Sequence, residues 1–109
     1  MARDFEIDAE GIGKFWFRRR TYQDAISIEA EMVRILGGVS TSPGLIFEAR
    51  KMAELKVLCV SSPDGWDLAE LDPFEDETTD RLHVVWEAFR KAETTFRERR
   101  KQERAAVRA

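Results

Sequence analysis

The sequence predicts a mainly α protein, a small three-helix domain preceded by an N-terminal β-hairpin and ending in a long C-terminal helix. Three observations predict it. Phe5 and Ile7 alternate with Glu6 and Asp8, and Phe15 and Phe17 with Lys14, Trp16 and Arg18, the period of a strand with one covered face. Thr21 with Asp24, and Ser42 before Pro43, are two helix-start signals. From Leu82 on, Leu82, Val85, Trp86, Phe89, Ala92 and Phe96 recur at the i, i+3, i+4, i+7 spacing of an amphipathic helix.

In the hairpin, Phe5, Ile7, Phe15 and Phe17 share one face, and Trp16 lies on the other between Lys14 and Arg18. Glu10, Gly11 and Gly13 supply the turn. The Thr21 and Asp24 pair reads as a capping box, so the first helix starts at Tyr22, and Gly37-Gly38 ends it. Tyr22, Ile26, Ala30 and Val33 form one stripe and Ala25, Ile28, Met32 and Ile35 an adjoining one, together a broad apolar arc. Pro43 suits the first position of a second helix capped by Ser42 and running to about Cys59. Its expected inward residues are Ile46, Ala49, Met52 or Ala53, Leu55 and Val57, with Glu48, Arg50, Lys51 and Glu54 outward. Val57 to Val60 is apolar all round and fits either a buried helix end or a short strand. Pro63-Asp64-Gly65 dictates a turn, Leu68 to Leu71 one short helical turn, and the third helix starts near Glu77 with acid first and base last, as its dipole favours.

With 109 residues, 43% apolar and 36% charged, the chain has a modest core and reads as one domain over residues 1–96, including the hairpin at 5–18. Residues 97–109 form a basic extension expected to be exposed helix or to fray. No apolar run approaches the ~20 residues that span a bilayer. The start, Met1 to Phe5, lacks the pattern of a signal peptide. A cytoplasmic location is therefore expected, and the lone Cys59 fits a reducing compartment.

The net charge of −3 is unevenly placed. Eight acids and no base lie between Asp64 and Asp80, and six bases against two acids lie between Arg97 and Arg108. Such opposed blocks suggest head-to-tail self-association that salt would loosen.

No nucleophile elbow, phosphate loop, metalloprotease helix or paired-cysteine motif is present, so the expectation is a protein that is not an enzyme and takes no cofactor. His83 between Asp80 and Glu87 reads as solvated surface rather than a metal site. The run Lys14 to Arg20 interleaves aromatic rings with bases as a nucleic-acid platform would, but the acid block and the overall charge argue against that partner. Interaction with another protein is the remaining signal, because Trp16, Trp66 and Phe74 fall on no core stripe: such residues either plug loops onto the core, the reading favoured for Trp66, or form an exposed apolar patch for a partner, which competes evenly for Trp16.

Gly13 to Thr21, Glu54 to Leu58, Pro63 to Leu68 and Asp72-Pro73 together resemble the tail assembly chaperones of long-tailed bacteriophages and prophages. In that group a hairpin ending in a Phe-Arg-Arg-Arg-Thr-like sequence precedes a helix, and a Pro-acid-Gly-Trp-Asp turn precedes a long charged helix. The likeness covers residues 4 to 96. It implies a non-enzymatic role: coating the helical tape measure protein while tail-tube protein polymerises around it. The candidate partner-binding residues are Trp16, Arg18, Arg19, Arg20, Trp66 and Phe74. The alternatives are a nucleic-acid-binding regulatory protein and a structural tail or head-tail completion protein of the virion.

Overall fold

The computed structural model describes residues 2–72 and 75–108. The elements are β1 (Phe5–Ala9), β2 (Gly13–Phe17), α1 (Tyr22–Leu36), α2 (Pro43–Leu58), β3 (Cys59–Ser61), a 3-10 turn (Leu68–Glu70) and α3 (Asp76–Arg108). The mainly helical architecture with an N-terminal hairpin and a long final helix is the one the sequence predicts. No helix among the described residues is long and apolar enough to cross a membrane.

The sheet has the order β1-β2-β3, all antiparallel. Pairing of Phe5 with Phe17 and Ile7 with Phe15 puts all four side chains on one buried face. The ambiguous run Val57 to Val60 is divided: Leu58 ends α2, and Cys59 starts β3, which pairs with Phe17 next to a register shift at Trp16/Phe17. This third strand gives the hairpin the extra pairing a two-stranded ribbon needs.

Helix α3 lies across β1, and α2 packs between α1 and α3. The core joins the sheet face to Leu55 and Leu58 of α2 and to Leu82, Val85, Trp86 and Phe89 of α3. Its aromatic centre is Phe17 against Phe89 at 4.8 Å between ring centroids, with Phe5 bridging to Phe96 at 5.4 Å. Each such ring contributes roughly 1.5–3 kcal/mol by leaving water.

One expectation about the helices is corrected, that for α2, and the broad arc of α1 is divided. On α1 only the second stripe is covered: Ile28 and Met32 are buried, whereas Tyr22, Ile26, Ala30 and Val33 are exposed. On α2, Lys51 and Glu54 are buried rather than outward, and Ile46 is exposed rather than inward. The physical cause is that α2 is flanked on two sides, so more of its circumference is covered than a single apolar stripe provides. Lys51 buries its ammonium over the rings of Phe47 and Trp86, with Glu48 at 3.1 Å. Glu54 accepts from the Trp86 indole Nε1–H at 3.1 Å and pairs with Arg20.

The capping box at α1 is formed: Thr21 Oγ1 accepts from the Asp24 backbone N–H, and Asp24 accepts from the Thr21 backbone N–H. At the start of β2, Gly13 has φ 137° and an added Cβ would lie 2.7 Å from Pro63 Cγ. Gly13→Ala is therefore expected to cost about 1–3 kcal/mol through strain and crowding against the Pro63 turn. Urea denaturation checks it, with Gly11→Ala, which meets no neighbouring atom, separating crowding from the cost of positive φ alone.

Candidate functional site

The three arginines that follow β2 take different positions. Arg18 donates from Nη2 to the Val57 carbonyl at 2.8 Å, and its backbone N–H donates to the Leu58 carbonyl, so it satisfies carbonyls at the end of α2. Its other Nη lies 2.6 Å from Asp24. Arg20 forks onto Glu93 at 3.1 and 3.2 Å and also reaches Glu54, tying α1's entry to α2 and α3. Burial works against the Arg20 charge, but the two carboxylates outweigh it and raise its pKa. Arg19 is exposed, and its backbone N–H donates to Asp4.

Trp66 is partly buried and meets Phe15 edge-on at 5.1 Å, which pins the Pro63 turn to the sheet. Trp16 lies on the outer sheet face, partly exposed, with the Arg3 guanidinium 5.9 Å from its ring. Phe74 lies outside the described residues. The structure thus gives Arg18, Arg20 and Trp66 internal partners and leaves Arg19 and part of Trp16 facing outward.

The surface that composition and spacing missed is the far side of α1. Tyr22 is 83%, Ile26 45% and Val33 61% exposed, and they align with Ala30 one turn apart along the helix. At 3.6 residues per turn the centre of this stripe lies about 135° around α1 from Ile28 and Met32. Helix α1 is therefore apolar over one broad arc, one flank of it covered by α2 and the other bare. At the far end of the α1–α2 pair a groove of about 410 Å³ is lined by Ile35, Leu36, Val39, Leu45, Ala49 and Met52. Val39, Leu45, Ile46 and Phe47 around this end are also exposed. The signal in the sequence was the width of the apolar arc on α1, more than one neighbouring helix covers.

Electrostatics fix α1 on α2. The Arg34 guanidinium hydrogen-bonds Glu31 and holds its carboxyl at about 2; burial opposes this, and Lys56 of α2 reinforces it at 2.9 Å. Burial pushes the Asp24 carboxyl up, but bonds from Thr21 and the Arg18 charge leave it below its ordinary value. Both groups bind protons more weakly in the folded chain than in the unfolded one. Their stabilisation is complete above the unfolded carboxylate range, near 4.5 for Glu31, and is lost as pH falls toward about 2. Thermal melts should accordingly fall with pH across that window, and Glu31→Gln should flatten part of the slope. An unchanged profile in that variant would show that Glu31 is not a source of it.

Burial raises the Cys59 pKa and so keeps the thiol protonated, with Sγ directed at the Ser61 carbonyl at 3.4 Å. His83 Nδ1 lies 3.2 Å from the Lys51 ammonium, which makes that nitrogen an acceptor for Lys51. Among the described residues no three of His, Cys, Asp and Glu come together as metal ligands would. No family model, no curated protein and no solved structure matches the chain.

Proposed function

We propose that this protein is a phage tail assembly chaperone that works by covering the apolar stripe of a helical client, the tape measure protein, in the host cytoplasm until tail-tube protein replaces it. The observation that carries this reading is the bare stripe Tyr22, Ile26, Ala30 and Val33, with large side chains exposed on the face of α1 away from α2. An exposed row of this kind is costly in a free monomer and is the shape that an amphipathic partner helix completes. The likeness of Gly13 to Thr21 and of the Pro63 to Leu68 turn to tail assembly chaperones supports the choice of client. The role is one of binding and release, without bond chemistry.

Co-expression with the tape measure protein of the same phage tests it. The wild-type chain should keep that protein soluble and co-purify with it. Ile26→Asp with Val33→Asp should fold with a melting temperature within a few degrees of wild type, since both side chains are outside the core, yet lose capture by at least tenfold. Capture unchanged by the two substitutions would remove the stripe from the mechanism. Retention of the protein in mature particles would favour a structural tail component instead.

A further inference from the structure

Two basic clusters that are far apart in the chain meet in the fold. Arg19 and Arg20 leave β2 beside the second half of α3, and with Arg97, Arg100, Lys101 and Arg104 they line a groove of about 490 Å³. Six bases face only two acids there, Glu93 and Glu98, in a chain whose net charge is −3. Glu93 is already neutralised by Arg20. Arg97, Lys101 and Arg104 have no ion pair among the described residues, and Arg100 only lies against the Phe96 ring at 5.8 Å.

We propose that this groove receives the exposed acids Asp64, Glu70, Glu75, Glu77 and Asp80 of the segment 64–80 of a second copy of the chain, so that copies join head to tail. The segment carries eight acids and no base, of which Asp64, Glu70, Glu75, Glu77 and Asp80 are exposed. These five residues lie at the opposite pole of the molecule from the groove. The Pro63 turn touches Gly13 at the start of β2, whereas Arg19 and Arg20 follow its end, and α3 carries Glu77 in its first turn and Arg104 near its last. At 1.5 Å per residue an unbroken helix holds those two positions roughly 40 Å apart, so one molecule cannot bring its own poles together. Only another copy satisfies both. Glu77 with Asp80, and Arg100 with Arg104, are each one helical turn apart, which lets the two rows pair side by side. A nucleic acid suits the groove less well, because its one ring, Phe96, is buried and offers no face on which a base could stack. The contact is heterologous and leaves a free pole at each end, so it extends rather than closes.

Sedimentation velocity over a concentration series tests this with the full chain. Wild type should show mass rising with concentration at low salt and revert to monomer at about 1 M, where the Debye length is about 3 Å. Arg100→Gln with Arg104→Gln, and separately Glu77→Gln with Asp80→Asn, should each weaken self-association at least tenfold while keeping the wild-type circular dichroism. Mixing the two variants should restore a complex that stops at one copy of each, because each retains the pole the other lacks. A monomeric wild type at low salt, association unaffected by the basic-pole substitutions, or a mixture that stays monomeric would overturn the proposal. So would a short DNA duplex that binds the groove and displaces the second copy. The apolar stripe of α1 plays no part, so Ile26→Asp with Val33→Asp should self-associate as wild type does, which separates failure of this inference from failure of client capture.

Discussion

Phe89→Asp is expected to leave the chain unfolded at 25 °C. Phe89 is fully buried, in contact with Phe17 at 4.8 Å and Phe5 at 6.0 Å between centroids, and it is where α3 meets the sheet. Truncating such a ring to Ala costs about 3–5 kcal/mol through lost transfer energy and the cavity left behind. An aspartate adds the cost of a buried charge without a partner, and the total approaches or exceeds the 5–15 kcal/mol that holds a typical domain together. Far-ultraviolet circular dichroism and a urea titration check it, with Phe89→Leu as the companion that should remain folded and be less stable. A cooperative transition for the Asp variant near the wild-type midpoint would mean that the sheet and α3 do not share one core.

Arg20→Ala is the second large effect, expected at about 3 kcal/mol of lost stability. Arg20 is the cation between Glu54 and Glu93, whose side chains are only 9% and 12% exposed. Removing it leaves two poorly solvated carboxylates facing each other, and breaking one side of a buried pair typically costs about 3–5 kcal/mol. The lower end applies because the Arg20 side chain is itself 25% exposed and water screens the pair. Arg20→Lys should recover only part of the loss, since a point charge cannot fork onto both oxygens of Glu93. Arg19→Ala, beside it and exposed, should change stability by no more than about 0.5 kcal/mol. Equal urea midpoints for Arg19→Ala and Arg20→Ala would show that the network contributes nothing to folding.

These two residues also mark where sequence reasoning stopped. Phe89 belongs to a stripe whose 3.6-residue period names it as core without any neighbour in view. Arg20 sits in a run of three arginines, and nothing in the run distinguishes the one that supports the end of α2, the one that joins three elements and the one that faces outward. Charge type alone assigns all three to the surface. The same limit applies to Lys51 and Glu54, which are buried because aromatic faces, an indole N–H and a guanidinium wait for them across the interface.

By itself the sequence determined the local structure: the inward face of the hairpin from alternating Phe and Ile, the start of α1 from Thr21 and Asp24, the start of α2 from Ser42 and Pro43, and the core face of α3. Each of these follows from interactions within a few residues, which the chain carries wherever it is placed. The tertiary structure decided which of α1's two apolar stripes is covered, that Cys59 leaves a helix to pair with Phe17, and that Arg19 and Arg20 share a groove with Arg100 and Arg104. Periodicity fixes which side chains share a face. Only the packing order of the helices fixes what that face meets, and the bare stripe and the basic groove are both products of that order.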